Sequence, residues 1–378
     1  MPRILSVSSS RADVGILLPV WRSLSAQSGC ELHVMLTGAH AASGVPDMIP
    51  GAVVHRGGAD LGGADPSNAS AAMAEISKFA GETFGKVEPD LIFLIGDRLD
   101  MLPAATAALP FNIPLAHLHG GEITEGAIDD RIRHALTKLS HLHFVSSAGA
   151  RARLLALGEE SWRIHVTGAP GLDTLLAAPI LSRPDFLKQI GFPADTAALS
   201  LVTVHPETNA SDAEASLHAV FDAIRSRPGP VLFTAPNSDP GGAAMRTAIE
   251  RFAGERPETR FVDTLGPILY PNALRHAAVM IGNSSSGVIE AGLFGLPVID
   301  VGDRQSGRER GKNVVHVANS SAAISAALDK MGQGGRFAEA SPYGDGHAAP
   351  RIAAVLAELP PRSALLRKVL PAAPVDAT

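Results

Sequence analysis

A chain of 378 residues exceeds what one hydrophobic core usually serves, so two domains are expected. With 46% hydrophobic and 19% charged residues and a net charge of −6, the composition is that of an ordinary globular protein, and it argues against nucleic acid as the principal partner, because a phosphate backbone needs a Lys/Arg surface. The single cysteine, Cys30, fits a reducing cytoplasm, and the apolar part of the opening M-P-R-I-L-S-V-S-S-S-R-A-D is too short for a signal peptide or a membrane span, so no membrane partner is expected.

In chain order, short apolar runs rich in β-formers alternate with longer helical patterns. Strands are expected at 4–8, 32–37, 91–95, 114–119, 142–146 and 164–167, then at 199–205, 231–235, 260–262, 279–282 and 297–301. Strands that alternate with helices imply parallel sheets covered on both faces. Two such sets make an α/β protein of two doubly wound, Rossmann-like domains, 1–175 and 176–350, followed by a C-terminal segment 351–378. The break falls where L-D-T-L-L-A-A gives way to P-I-L-S-R-P and G-F-P-A-D. The glycine- and aspartate-rich stretch 44–67 reads as a surface loop with a strand-like 52–56 inside it. Residues 350–359 read as an amphipathic helix, and the proline-bearing tail after Pro360 is expected to fray.

Ligands of open parallel sheets bind beyond the carboxyl ends of the strands, and two domains put the expected site in a cleft between them. Polar motifs gather at those strand ends: Ser8-Ser9-Ser10-Arg11, Gly96-Asp97-Arg98, His119-Gly120-Gly121-Glu122, His205-Pro206-Glu207-Thr208, Pro236-Asn237-Ser238 and Gly302-Asp303-Arg304.

The segment G-N-S-S-S-G at 282–287 opens the helical pattern V-I-E-A-G-L-F. Ser284, Ser285 and Ser286 would present free amides and the positive end of the helix dipole to an anion, which suits a diphosphate. Glu290, a turn further on, would repel phosphate unless it bonded something else, such as the two hydroxyls of a ribose; together they suggest a nucleotide. The plain alternative is a serine N-cap and a solvated glutamate.

Asp97, Glu122 and the pair Asp129-Asp130 stand near strand ends of the first half. Carboxylates gathered beside a diphosphate would be raised in pKa by burial and mutual repulsion, which suits proton transfer. Asp97 could instead bond turn amides, and the Asp pair could cap the helix it opens; Glu122, between two glycines and a turn, is harder to explain as scaffolding. Histidines 117, 119, 134, 141 and 143 form a dense set without the spacing of a metal site, so no metal is expected. His205 ends a strand and suits a phosphate or sugar contact. The run Arg304–Lys312 reads equally as a solvated loop or a phosphate clamp. Neither half carries G-x-G-x-x-G after a strand, nor a Walker G-K-[ST], so no nicotinamide cofactor or ATP-driven transfer is expected.

Taken together, S-R-A-D-V-G, G-D-R-L-D-M-L, H-G-G-E-I-T-E-G-A-I-D-D-x-I-R-H-A-L-T-K-L-S-H-L-H-F, H-P-E-T, G-N-S-S-S-G-V-I-E and G-D-R-Q-S-G-R run in one order over roughly residues 1 to 350. In this the chain resembles the UDP-N-acetylglucosamine 2-epimerases, and more closely their hydrolysing branch in sialic and legionaminic acid biosynthesis. The resemblance implies a GT-B architecture whose C-terminal helix crosses back, no cofactor, a nucleotide-sugar substrate that is UDP-linked or, as the alternative, GDP-linked, and a homodimer or homotetramer. It implies acid/base roles for Asp97, Glu122 and Asp129, with Asp130 as neighbour. Arg11, His205, Asn237, Ser284, Ser285 and Glu290 match nucleotide-binding positions, and Arg98 would orient the substrate. Two departures stand out: Asp100 replaces the usual glutamate of G-D-R-x-E, and the pattern N-x-D near 237 reads N-S-D-P-G-G. A non-hydrolysing epimerase and a GT-B glycosyltransferase are the rival activities.

Overall fold

The computed structural model describes residues 1–26, 29–41, 49, 51–62, 65–124, 128–207, 213–237, 239–331, 335–338 and 341–369. The chain forms two compact units, Met1–Thr174 together with Gly344–Thr378, and Leu175–Tyr343.

Unit 1 holds a seven-stranded parallel sheet: β1 (Arg3–Ser8), β2 (Glu31–Leu36), β3 (Val53–Arg56), β4 (Leu91–Ile95), β5 (Leu115–Leu118), β6 (Leu142–Val145) and β7 (Ile164–Val166), in spatial order β3-β2-β1-β4-β5-β6-β7. Central strands of such a sheet are covered on both faces and so read as unbroken apolar runs; all five residues of L-I-F-L-I in β4 are buried. The covering helices bury one stripe each. Helix Pro66–Val87, capped by the Asp65 carboxylate on the Ser67 amide, buries Ala72, Ile76, Ala80 and Phe84 at a spacing of four.

Val53–Arg56 is an edge strand of this sheet and stands where the strand-like 52–56 is read inside the loop 44–67. Its valines pair with β2 on one side only and stay largely exposed, as an edge strand allows. The C-terminal segment forms the amphipathic helix expected at 350–359 but does not fray directly after Pro360. Helix Ala348–Ala357 packs Ile352, Ala353 and Leu356 into the unit 1 core, and the chain beyond it remains tied down. Arg163, fully buried, donates to the carbonyls of Ala364, Leu365 and Arg367, and the Lys368 ammonium sits 2.7 Å from Glu159. The rest of the tail, from residue 370, lies outside the described residues.

Unit 2 holds a six-stranded parallel sheet: β8 (Ser200–Thr203), β9 (Val231–Thr234), β10 (Thr259–Val262), β11 (Val279–Gly282), β12 (Val298–Val301) and β13 (Val314–Val317), in order β10-β9-β8-β11-β12-β13. The edge strand β13, half exposed and preceded by the basic run, was not anticipated. Both sheets reverse their strand order at the first strand of the set, between β1 and β4 and between β8 and β11. Those two points are where doubly wound sheets bind ligands.

Candidate active site

At the reversal point of unit 1, the turn after β1 closes on itself. The Asp13 carboxylate accepts from the amides of Ser9 (2.8 Å) and Ser10 (2.9 Å) and from the Ser8 hydroxyl (3.1 Å). Those amides are occupied, so this serine run is not the anion cradle. Arg11 opens helix Arg11–Ala26; its side chain lies outside the described residues, as do Thr208 and Ser238.

The turn after β4 starts at Gly96, with φ +68°, and presents Asp97. Helix Ile128–Leu139 buries Ile132, Arg133, Leu136 and Thr137, so its first turn puts Asp129 and Asp130 beside Arg133 one turn on. The buried Arg133 guanidinium gathers the site. Nη2 donates to Asp97 and to the Thr124 hydroxyl (2.9 Å), and Nη1 donates to Asp130 Oδ1 (2.8 Å) and to the Glu122 carbonyl (2.8 Å). Asp130 also accepts the Thr124 amide at 3.0 Å, so it braces the segment before its helix rather than capping the helix itself. Burial, and then the negative charge of Asp97, raises the pKa of Asp129.

Glu122 follows β5. Its Oε1 accepts from His119 Nδ1 (2.7 Å) and from the Ser146 hydroxyl (2.8 Å), and His119 holds a left-handed φ of +66°, a strained conformation for a residue with a Cβ. Gly121 is required where it stands: with φ +77°, a Cβ there would strike the Ala150 carbonyl. Arg98 forks onto the buried Asp100 (3.0 and 3.3 Å), so the aspartate that departs from the family pattern still reaches its arginine.

The remaining histidines of this region serve the framework. His117 bonds the Gly96 carbonyl at 2.7 Å, behind the Asp97 turn, and burial lowers its pKa to about 3. His141 accepts the Leu115 amide, and burial lowers its pKa to about 4. His143 meets Glu159 at 3.0 Å. His134 lies more exposed, 3.6 Å from Asp130. Among the described residues no group of three or more His, Cys, Asp or Glu is arranged to hold a metal ion, and no helix is long and apolar enough to cross a membrane.

At the reversal point of unit 2, β11 runs so close to β8 that a Cβ on Gly282, at φ +142°, would strike the Thr203 carbonyl. Asn283 follows, fully buried, and clamps His205: it accepts the His205 amide at 2.7 Å and donates to the His205 carbonyl at 2.8 Å. The His205 ring accepts the Asn237 amide on Nδ1 at 3.0 Å, which leaves the proton on Nε2, 3.3 Å from the Ser284 hydroxyl. Burial, then the Arg304 charge, lowers the His205 pKa to about 4, so near neutral pH it is an uncharged donor.

Ser284 is the N-cap of the short helix Ser285–Ile289. Its hydroxyl takes the Ser286 amide (3.4 Å) and hydroxyl (2.9 Å), and the Ser285 amide meets no acceptor among the described residues. Glu290 ends this helix with Oε2 on the Tyr270 hydroxyl, and burial raises its pKa. The basic run is divided. Arg310 is held on the buried Asp300 (2.9 and 2.8 Å), whereas Arg304 lies half buried, 3.6 Å from Asp239, which also takes the Asn237 side-chain amide. Arg310 is therefore structural.

Sequence reading did not single out Arg133, Asn283 or Tyr270. Arg133 stood one helical turn from Asp129 and Asn283 lay inside the serine motif, so both were traceable; Tyr270 comes from a separate helix, Gly266–His276, with no local signal.

The model of the family described as UDP-N-acetylglucosamine 2-epimerase matches residues 22–357. The chain is similar to the UDP-N,N′-diacetylbacillosamine 2-epimerase (hydrolyzing) of Legionella pneumophila, 34% identical over 97% of this chain and 98% of that protein. It is similar also to the GDP/UDP-N,N′-diacetylbacillosamine 2-epimerase (hydrolyzing) of Campylobacter jejuni, 31% identical over 83% of each. In fold it is similar to the UDP-GlcNAc 2-epimerase of Neisseria meningitidis solved bound to UDP-GlcNAc, with a TM-score of 0.74 at 18% identity over 93% of this chain and 98% of that one. With both sheets built and the motif residues at their reversal points, the chain belongs to the UDP-N-acetylglucosamine 2-epimerase family.

Proposed function

We propose that this protein is a hydrolysing 2-epimerase that converts a UDP-linked 2-acetamido sugar of the gluco series into the free manno-configured sugar and UDP. The first candidate substrate is UDP-N,N′-diacetylbacillosamine, the name carried by the Legionella and Campylobacter relatives. The product would supply sialic or legionaminic acid biosynthesis. The observation that carries the reading is the carboxylate cluster of unit 1, in which one buried arginine binds Asp97 and Asp130 and an acid of raised pKa, Asp129, feels the charge of Asp97.

A C2 proton that is not beside a carbonyl is not acidic, and the reaction needs a way to remove it. Departure of the nucleotide from C1 supplies it, because developing oxocarbenium character at C1 acidifies the C2–H bond. A carboxylate of unit 1 takes that proton as the C1–O bond breaks, giving a glycal and the nucleotide diphosphate. The Ser285 amide, the Ser284 and Ser286 hydroxyls, the His205 Nε2–H and Arg304 are donors suited to the departing diphosphate. Water then adds at C1 while C2 is protonated on its other face, so the atoms of substrate and water are accounted for in free sugar and UDP. Arg98, fixed by Asp100, orients the sugar.

The test is incubation with UDP-N,N′-diacetylbacillosamine and with UDP-GlcNAc, without any acceptor. Release of UDP with a free manno sugar supports the proposal. A UDP-linked epimer without free UDP indicates a non-hydrolysing enzyme, and sugar transfer only on addition of an acceptor indicates a glycosyltransferase; either overturns it.

A further inference from the structure

In unit 2 a chain of side-chain hydrogen bonds runs from the serine turn to a residue with no role in the reading above. The Ser284 and Ser286 hydroxyls lie 2.9 Å apart, the Ser286 hydroxyl faces the Tyr270 phenol oxygen, and the phenol donates to Glu290 Oε2. Tyr270 comes from helix Gly266–His276, and Ser286 and Glu290 come from the opposite ends of the serine helix, so one phenol ties the start of that helix to its end. No bond from a described residue reaches Glu290 Oε1, and that oxygen is not among the sealed, unpaired polar atoms.

We infer that Tyr270 is a positioning residue for nucleoside recognition: it holds the Glu290 carboxylate by one oxygen so that the other is presented to the hydroxyls of a ribose. This rests on the proposed use of Glu290 as the ribose contact. A free glutamate side chain has three rotatable bonds, and ordering them at the moment of binding subtracts from affinity; a phenol that has already fixed Oε2 removes most of that cost. The phenol also opposes the neutralising effect of burial, because it donates to the charged form of the acid. A carboxylate built to accept a hydroxyl discriminates strongly against a ligand that lacks it, since its acceptor is then left without a partner. The chemical class selected is therefore a ribonucleoside diphosphate, in preference to its 2′-deoxy counterpart.

The inference is tested by titration calorimetry of the full-length protein with UDP and with 2′-deoxy-UDP, for the wild type, Tyr270→Phe and Glu290→Gln, with thermal melts to establish that each variant is folded. The wild type is expected to prefer UDP by about 10-fold or more, and Tyr270→Phe to narrow the preference to about 3-fold or less by weakening UDP alone. Glu290→Gln should narrow it in the same way, and turnover of Tyr270→Phe should show the loss in KM rather than in kcat. A full preference retained in Tyr270→Phe, or equal weakening of both ligands, overturns the positioning role while leaving the ribose assignment of Glu290 in place. A wild type without preference overturns that assignment and the inference with it.

Discussion

Arg133 and Asp97 lie far apart in sequence, yet the buried guanidinium of the one donates directly to the carboxylate of the other and, through its second nitrogen, to Asp130 at 2.8 Å. The planar fork of an arginine is what makes the double attachment possible, and a lysine cannot reproduce it. Arg133→Lys should lower kcat by about 100-fold while changing UDP affinity little, because its effect is on the placement of the acids. Arg133→Ala should in addition lose about 3–5 kcal/mol of stability, since it leaves polar groups without their buried partner. Steady-state kinetics with urea unfolding would check both; an unchanged kcat in Arg133→Lys would contradict the positioning role.

The division of labour between the units has its own signature. Asp97→Asn and Glu122→Gln keep the shapes of the side chains but remove their basicity, and each should lower kcat by about 10³-fold or more. Their UDP affinity, measured by calorimetry, should match the wild type, because the donors proposed for the departing diphosphate belong to unit 2. Normal turnover in both variants would remove these residues from the chemistry.

Asn283 makes no proposed contact to substrate, yet its side chain satisfies both backbone groups of His205. Asn283→Ala would leave a buried amide and carbonyl unpaired, at a cost of about 2–3 kcal/mol in unfolding free energy. It should also weaken UDP binding, since His205 and the Ser284 turn would lose their fixed relation. Retention of wild-type UDP affinity would show that the clamp is dispensable for the site.

Stability should fall with acid well above the usual carboxylate range. His117, His141 and His205 have folded-state pKa values lowered to about 3, 4 and 4 from an ordinary 6.5. The unfolded chain therefore takes up protons below about pH 6.5 that the folded chain refuses, so stability is full above that pH and declines as the pH falls toward 4. Glu159, lowered to about 2 from 4.5 by its bonds to His143, Lys138 and Lys368 against the opposing effect of burial, adds a further loss between pH 4.5 and 2. Melting temperatures across pH 4 to 8 should show this slope, and His141→Asn should flatten its upper part.

The C-terminal anchor can be read separately from activity. Lys368 donates to the carbonyls of Lys138 and Ser140 at the end of the helix that carries Arg133, as well as pairing with Glu159. Lys368→Met should reduce stability by about 1–3 kcal/mol in urea unfolding, through unpaired carbonyls and a weakened Glu159 site. An unaltered unfolding midpoint would mean the tail is merely draped on the surface.

Much of the architecture was legible because central parallel strands are uniformly apolar: Leu91–Ile95 and Val279–Gly282 stand where the sequence puts them. The edge strand Val53–Arg56 stands where the strand-like 52–56 is read, but the edge strand Val314–Val317 was not legible, because an edge strand is half exposed and its residues follow no single rule. At the candidate site, the motifs located Asp97, Glu122, His205 and Ser284, since each sits at a strand end. The partners that orient them were harder to see. Tyr270 reaches Glu290 from another helix, and Arg133 reads as one more charge on an amphipathic helix until the fold brings Asp97 to it. The order of residues 361–369 was not legible because the tail's prolines suggest fraying, whereas the Arg163 guanidinium that binds carbonyls of that stretch lies some two hundred positions earlier.

The most direct test of the central claim is to run the reaction with UDP-N,N′-diacetylbacillosamine in D₂O and follow sugar and nucleotide by NMR. The account predicts free UDP together with a free manno-configured sugar carrying deuterium at C2. A product that keeps its C2 proton, or that stays attached to the nucleotide, would contradict it.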